Sequence, residues 1–173
     1  MTSRKKSVGI VLFNKTAAGL VVILQIRGTW NAEKNCPESW PGGCQVTAHG
    51  KLESGEDFTQ ALYREVAEEL GAEILPAIKT LRLIELVNKN SSEEQIITYG
   101  AVVGEDIFKM LMSKPKSKTF GGFKLVRRNE IAKIVDLSNI NKNIGATDQN
   151  TIAMFPDEKE AMCVAFEKLV DKV

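Results

Sequence analysis

The chain has 173 residues, enough to bury a sizeable core, and reads as one domain spanning residues 1–173. With 43% hydrophobic and 26% charged residues it has an ordinary soluble composition, and a net charge of +1 offers no bulk attraction to nucleic acid or an anionic membrane. No apolar run approaches the roughly 20 residues that cross a bilayer, so no membrane partner is expected.

Arg4, Lys5 and Lys6 ahead of an apolar run at 8–13 imitate a secretory leader. The run is cut by Asn14 and Lys15, whereas a cleavable hydrophobic region needs about 7–15 residues. A first strand is the better reading, with 20–26 as its hairpin partner across Gly19. Residues 28–43, GTWNAEKNCPESWPGG, are turn chemistry throughout. Cys36, Cys44 and Cys163 make an odd count without export signals, which implies reduced thiols in a cytoplasmic protein.

Residues 45–49 alternate briefly and deliver the chain to residues 50–72, GKLESGEDFTQALYREVAEELGA. Ser54, three ahead of Asp57, reads as a capping-box start, and Glu56 and Asp57 place negative charge where the helix dipole favours it. Phe58, Leu62, Val66 and Leu70 form an apolar stripe at helical spacing, and Gly71 is the expected stop. Glu65 and Glu69 lie one above the other, and Glu68 falls within the same arc. Like charges four apart cost an isolated helix about 0.2–0.5 kcal/mol, and anions near its C-terminal end oppose the dipole. A bound divalent cation reverses that cost, and oxygen-only ligands suit a hard ion such as Mg²⁺.

After Gly71, residues 79–88 and 94–103 read as strands joined by the polar turn KNSSE. A short helix at 106–112, a basic loop at 113–122 and a short strand at 123–127 follow. Residues 138–151 are polar and irregular in pattern. An amphipathic helix from 157 to about 171 ends the chain, with Ala161, Val164, Ala165, Phe166 and Leu169 inward. The basic run 114–118, with Arg127 and Arg128, reads as a solvated face, and nucleic acid is not an expected partner.

Gly50, five residues, Glu56, seven residues, then Arg64-Glu65-Val66-Ala67-Glu68-Glu69-Leu70-Gly71 resembles the signature of the Nudix hydrolases. Seven fixed positions, each with background usage of roughly 5–8%, coincide by chance about once in 10⁸ windows or fewer. One packing position departs: the signature usually closes on a large aliphatic residue, and here it has Ala72. Trp40-Pro41-Gly42-Gly43 resembles the glycine turn ahead of the box, and Met154-Phe155-Pro156-Asp157-Glu158 the lead-in to the terminal helix.

The resemblance implies an α/β fold, the Nudix α/β/α sandwich with a central mixed β-sheet. It implies metal-dependent hydrolysis of a nucleoside diphosphate linked to another moiety, with Mg²⁺ or Mn²⁺ as cofactor. The matching residues make Glu65 and Glu69 principal metal ligands, Glu68 a ligand or base, and the His49 backbone carbonyl an assisting ligand. Glu56 and Arg64 occupy positions that pair and fix the loop against the helix, which a bidentate contact suits. Many members add a loop carboxylate ahead of the aromatic strand; Gly121-Gly122-Phe123 offers none, which leaves Glu93, Glu94 and Glu105 as candidates.

Trp30 and Trp40 read either as partial core lids or as platforms that stack a base, a contact worth about 1–3 kcal/mol, and Arg27 either as a phosphate contact or as an exposed ion pair. The His49 ring reads as structural. The expected partner is a small nucleotide-type diphosphate, with a homodimer as the only protein assembly considered. Val87 stands where ADP-ribose enzymes of the family have proline, and the marks of the NADH and coenzyme A subfamilies are absent. That leaves a nucleoside triphosphate or modified nucleotide. Two alternatives stand beside hydrolysis: an isopentenyl-diphosphate-isomerase-like enzyme using Cys44, and a non-catalytic nucleotide-binding module.

Overall fold

A computed structural model of the chain describes residues 4–139 and 152–170. Its first elements are β1 (Lys5–Thr16), β2 (Gly19–Arg27), β3 (Trp30–Asn31), β4 (Cys36–Pro37), β5 (Cys44–Gln45) and β6 (Ala48–Lys51). Helices α1 (Phe58–Glu69) and α2 (Leu75–Thr80) precede β7 (Ile84–Asn90) and β8 (Glu94–Val103). Then come α3 (Glu105–Ser113), β9 (Phe120–Arg127), β10 (Val135–Asp136), β11 (Ala153–Met154) and α4 (Pro156–Val170).

The first apolar run is the spine of the sheet. Val8 and Ile10 through Phe13 are each 0% exposed, the near-continuous apolar pattern of a strand covered on both faces. β1 pairs antiparallel with β2, Leu12 opposite Ile23, around a tight turn in which Gly19 adopts φ +106°. On its other edge it pairs parallel with β8, Val8 opposite Ile97, while its first half pairs antiparallel with β6 on the β2 side, Gly9 opposite His49. The sheet is therefore mixed, ordered β5-β2-β1-β8-β7, with β9 also on β2.

Because side chains alternate along a strand, β1 and β2 feed two cores. Val11, Phe13, Val22 and Leu24 pack against Ala161, Met162, Ala165 and Phe166 of α4, the Phe13 and Phe166 rings meeting edge-on at 5.1 Å. Val8, Ile10, Leu12 and Ile23 pack instead against Leu62, Val66 and Leu70, with Ile78 of α2 and Leu111 of α3 closing that side. Helices on both faces of a mixed sheet make the expected α/β/α sandwich.

Two local expectations are corrected. Residues 79–83 are not strand: α2 runs to Thr80, because Ile74 and Ile78, one helical turn apart, are both buried against the α1 core and Pro76 sits at the helix start. The α1 cap is Asp57, not Ser54. Asp57 accepts from the Gln60 amide at 2.8 Å while the Gln60 side chain accepts from the Asp57 amide at 2.9 Å, a reciprocal box three residues later than the serine suggested. Gly71 does stop the helix, at φ +120°, and Phe58 is only partly buried while Leu62, Val66 and Leu70 are fully so. Most of the irregular stretch expected at 138–151 lies outside the described residues. The three cysteines are free thiols, and among the described residues no helix is long and apolar enough to cross a membrane.

Candidate active site

Strand β6 leads into a loop at 52–57 that turns back onto α1, and one side chain binds the two together. Arg64 Nε and Nη2 donate to the two oxygens of Glu56 at 2.8 and 3.1 Å. Nη2 also donates to the Lys51 carbonyl at 2.7 Å, and Nη1 to Glu65 at 2.8 Å and Glu68 at 3.2 Å. Glu56 in turn accepts from the Glu53 amide at 2.9 Å. The guanidinium thus holds loop, strand end and helix in one network, the geometry for which a planar fork of donors is suited. It lowers the Glu56 carboxyl pKa through that hydrogen bond.

Glu65 and Glu69 sit deeper. Glu65 is 9% exposed, and its carboxyl occupies the space where Gly50 lacks a side chain; a Cβ on Gly50 would overlap it. Burial raises the Glu65 pKa against the opposing pull of Arg64, with the charges of Glu68 and Glu33 adding to the rise. Glu69 accepts from the His49 backbone amide at 3.0 Å. Burial pushes its carboxyl up to about 8, helped by the charges of Glu65 and Glu158. Glu68 stands at the rim, its side chain 58% exposed.

Among the described residues no three acidic, histidine or cysteine side chains close into a ready-made metal cage. The donor set still fits a divalent cation: two buried carboxyls that repel each other, a third at the rim, and no sulfur or amine among them. A cation between such groups offsets the burial that raises their pKa values and cancels the repulsion that adds to it.

Beside these acids lies a cavity of about 880 Å³ lined by Arg27, Val46, His49, Leu86, Thr98, Phe155, Asp157 and Glu158, among others. Arg27 is not a free strand-end cation. Its guanidinium meets Glu38 at 3.5 Å and lies 5.4 Å from the centre of the Phe155 ring. Trp40 packs edge-on against Phe155 at 6.2 Å, whereas Trp30 is 37% exposed on the β3–β4 flap, away from the cavity lining. The His49 ring lines the cavity, and burial lowers its pKa, favouring the neutral imidazole. Cys44 is buried in the α4-side core and its thiol is pushed up to about 11 by burial, which suits a packing role.

Of the three loop-carboxylate candidates, Glu94 pairs with Lys89 at 2.6 Å and Glu105 with Lys109 at 3.6 Å, while Glu93 closes the β7–β8 turn, its amide donating to Ser91 Oγ at 3.3 Å. The acids whose charges reach Glu65 and Glu69 include two that sequence reading missed, Glu33 and Glu158. Glu158 had a legible signal. It stands three, four and seven residues before Ala161, Met162 and Ala165, on the inward face of α4, where an acid is out of place.

The NUDIX domain family profile matches residues 3–153, most of the chain. A mutT/nudix family protein from Listeria innocua is similar with a TM-score of 0.67 at 16% identity, over 99% of this chain and 98% of that one. The NUDIX domain of Shewanella oneidensis NrtR, solved with ADP ribose, is similar with a TM-score of 0.56 at 15% identity, over 98% and 90%. DR0079 from Deinococcus radiodurans is similar with a TM-score of 0.52 at 19% identity, over 75% and 71%. No curated protein sequence matches the chain. At these identities the structural likenesses show the fold.

Proposed function

This chain belongs to the Nudix family, and from that premise we propose that it is a metal-dependent pyrophosphohydrolase. Its substrate is a nucleoside diphosphate linked to another moiety, of nucleoside triphosphate or modified nucleotide type. The observation that carries the reading is the pair of buried, mutually repelling carboxyls, Glu65 and Glu69, beside a cavity large enough for a nucleotide. Such a pair is costly in a protein with no cation to bind.

Glu65 and Glu69 would hold Mg²⁺ or Mn²⁺, with Glu68 and the His49 carbonyl as further oxygen donors. When bound, the metal neutralises phosphate oxygens and lowers the pKa of an attacking water. The remaining work falls to side chains. Arg64 fixes the orientation of Glu65 and Glu68 through Nη1 and anchors them to the loop through Glu56. Glu68, at the exposed rim, is placed to orient a water and accept its proton as that water attacks phosphorus. Arg27, held by Glu38 and Phe155, presents positive charge to the ligand cavity, and Trp40 braces Phe155 at its wall. Trp30, on the flap, is the more peripheral of the two tryptophans.

The isomerase reading loses its nucleophile, since Cys44 is in the core. A binding-only module has no use for a complete acid set. The test is product release from a panel of nucleotides with Mg²⁺. Hydrolysis that Glu69→Gln reduces by at least about a hundredfold supports the proposal. No turnover on any nucleotide, with isomerisation of a prenyl diphosphate instead, overturns it.

A further inference from the structure

Glu38 lies at the root of the β3–β4 flap, its side chain only 10% exposed. Three donors share its carboxylate. Oε1 accepts from the Trp40 backbone amide at 3.3 Å and faces Arg27 Nη1 at 3.5 Å, while Oε2 accepts from Asn31 Nδ2 at 3.4 Å. The Glu38 amide donates to the Thr29 carbonyl at 3.0 Å, so the residue is itself fixed by backbone. Asn31 belongs to one strand of the flap and Trp40 follows the other. One acid therefore joins both sides of the flap to the end of β2.

The contacts close into a ring. Arg27 lies 5.4 Å from the centre of the Phe155 ring, Phe155 meets Trp40 edge-on at 6.2 Å, and the Trp40 amide returns to Glu38. Arg27 and Phe155 line the ligand cavity, whereas Asn31, Glu38 and Trp40 do not. Glu38 thus stands behind the wall, next to a side chain that faces the cavity and is 20% exposed. An ion pair optimised for stability closes to about 2.7–2.9 Å. Here the spacing is 3.5 Å, and the oxygen nearest Arg27 also serves Trp40. Burying such a pair returns little stability over an apolar replacement. The hold on Arg27 is one of charge rather than of a short hydrogen bond.

We infer that Glu38 is a positioning residue: acting through Arg27, it fixes that cation against the Phe155 wall, so that a substrate phosphate meets a charge already in place. Ordering the guanidinium in advance spares the substrate the cost of immobilising it. This inference rests on the nucleotide reading of the cavity and adds the residue that orders one of its walls.

The experiment measures equilibrium dissociation constants of ADP and GDP, which require no turnover, and KM with Mg²⁺ for ATP and GTP. Glu38→Gln keeps an acceptor oxygen for the Trp40 amide and removes the charge that holds Arg27. Losing a negative charge beside the cavity would by itself tighten the binding of a polyanion, whereas losing the position of Arg27 weakens it. The sign of the change separates the two. Dissociation constants and KM should rise roughly three- to tenfold, the effect of one freed long side chain, with the melting temperature within a few degrees of wild type. In an Arg27→Gln background the same substitution should change neither constant by more than about twofold, because the group it acts through is gone. Arg27→Lys keeps the charge but offers no planar group to the ring or the carboxylate. It should weaken binding as Glu38→Gln does, and it carries the test if the acid variant fails to fold. Unchanged or tighter binding by Glu38→Gln, an equal loss in both Arg27 backgrounds, or wild-type affinity in Arg27→Lys overturns the inference, and hydrolysis of the triphosphates then leaves the hydrolase reading standing. If ATP and GTP are not turned over but the diphosphates bind in the order stated, the hydrolase reading falls and the positioning role stands.

Discussion

The backbone amide of His49 donates to the carboxylate of Glu69 across 3.0 Å. This one bond ties the strand that opens the Nudix box to the last turn of the helix that closes it. It holds Glu69 through backbone alone, whereas Glu65 is held by the Arg64 guanidinium.

Metal-free protein should be most stable at mildly acidic pH. The carboxyls of Glu69 and Glu158 are pushed up to about 8 and about 7, and that of Glu65 is raised as well, burial being the leading cause in each. An unfolded glutamate titrates near 4.3. Between those values the folded chain holds more protons than the unfolded one, so stability falls as pH rises from about 4.5 to 8. Melting temperatures in a chelator at pH 5, 6.5 and 8 should decline in that order, and Glu69→Gln should flatten the decline. A rising series contradicts the burial of these acids.

Arg64→Lys should fold yet lose function. Lysine keeps the charge but cannot span Glu56, Glu65, Glu68 and the Lys51 carbonyl at once, as the guanidinium does. Residues that orient metal ligands typically contribute 10–100-fold to metal affinity or activity. A loss of about that size in kcat and in Mn²⁺ affinity, with an unchanged circular dichroism spectrum, is the expected outcome. Wild-type kinetics would show that the network is only a surface ion pair.

Gly50→Ala should remove activity more than stability. The added methyl would overlap the Glu65 carboxyl, which must then swing outward and give up both its place at the site and its bond to Arg64. Activity should fall at least about a hundredfold, in line with the loss of a transition-state charge contact, while the melting temperature shifts by only a few degrees. Retained activity would place the working position of Glu65 elsewhere.

The two tryptophans should separate. Trp40→Ala removes the edge-on support of Phe155, a ring contact worth about 0.5–1.5 kcal/mol, and should raise KM for a nucleotide several-fold. Trp30→Ala, at an exposed flap position, should change KM by less than about twofold. Equal effects would mean that the flap closes over the substrate.

The sandwich was legible because its signals are local and periodic. The two-sided apolar pattern of residues 8–13 marked a covered strand, and the left-handed Gly71 marked the end of α1. The cap was misplaced by one turn because Ser54 and Asp57 both satisfy the capping pattern, and only the contact with Gln60 decides between them. Residues 79–83 misled because Leu81 and Leu83 alternate with Arg82 like a strand, while the burial that makes α2 helical comes from Ile74 and Ile78 upstream. Helical spacing singled out Glu65, Glu68 and Glu69, and the resemblance singled out Glu56 and Arg64; the structure brings Arg64 to Glu56, Glu65 and Glu68. Glu158 was missed although its place on the inward face of α4 marked it, and Glu33 was missed because nothing local reveals that a flap residue brings its charge to Glu65.

Direct titration with Mn²⁺, followed by the loss of its free-ion electron paramagnetic resonance signal, addresses the central claim without assuming any substrate. The wild type should bind the ion, and a variant carrying Glu65→Gln, Glu68→Gln and Glu69→Gln together should leave it free in solution. Equal binding by both proteins would contradict the account.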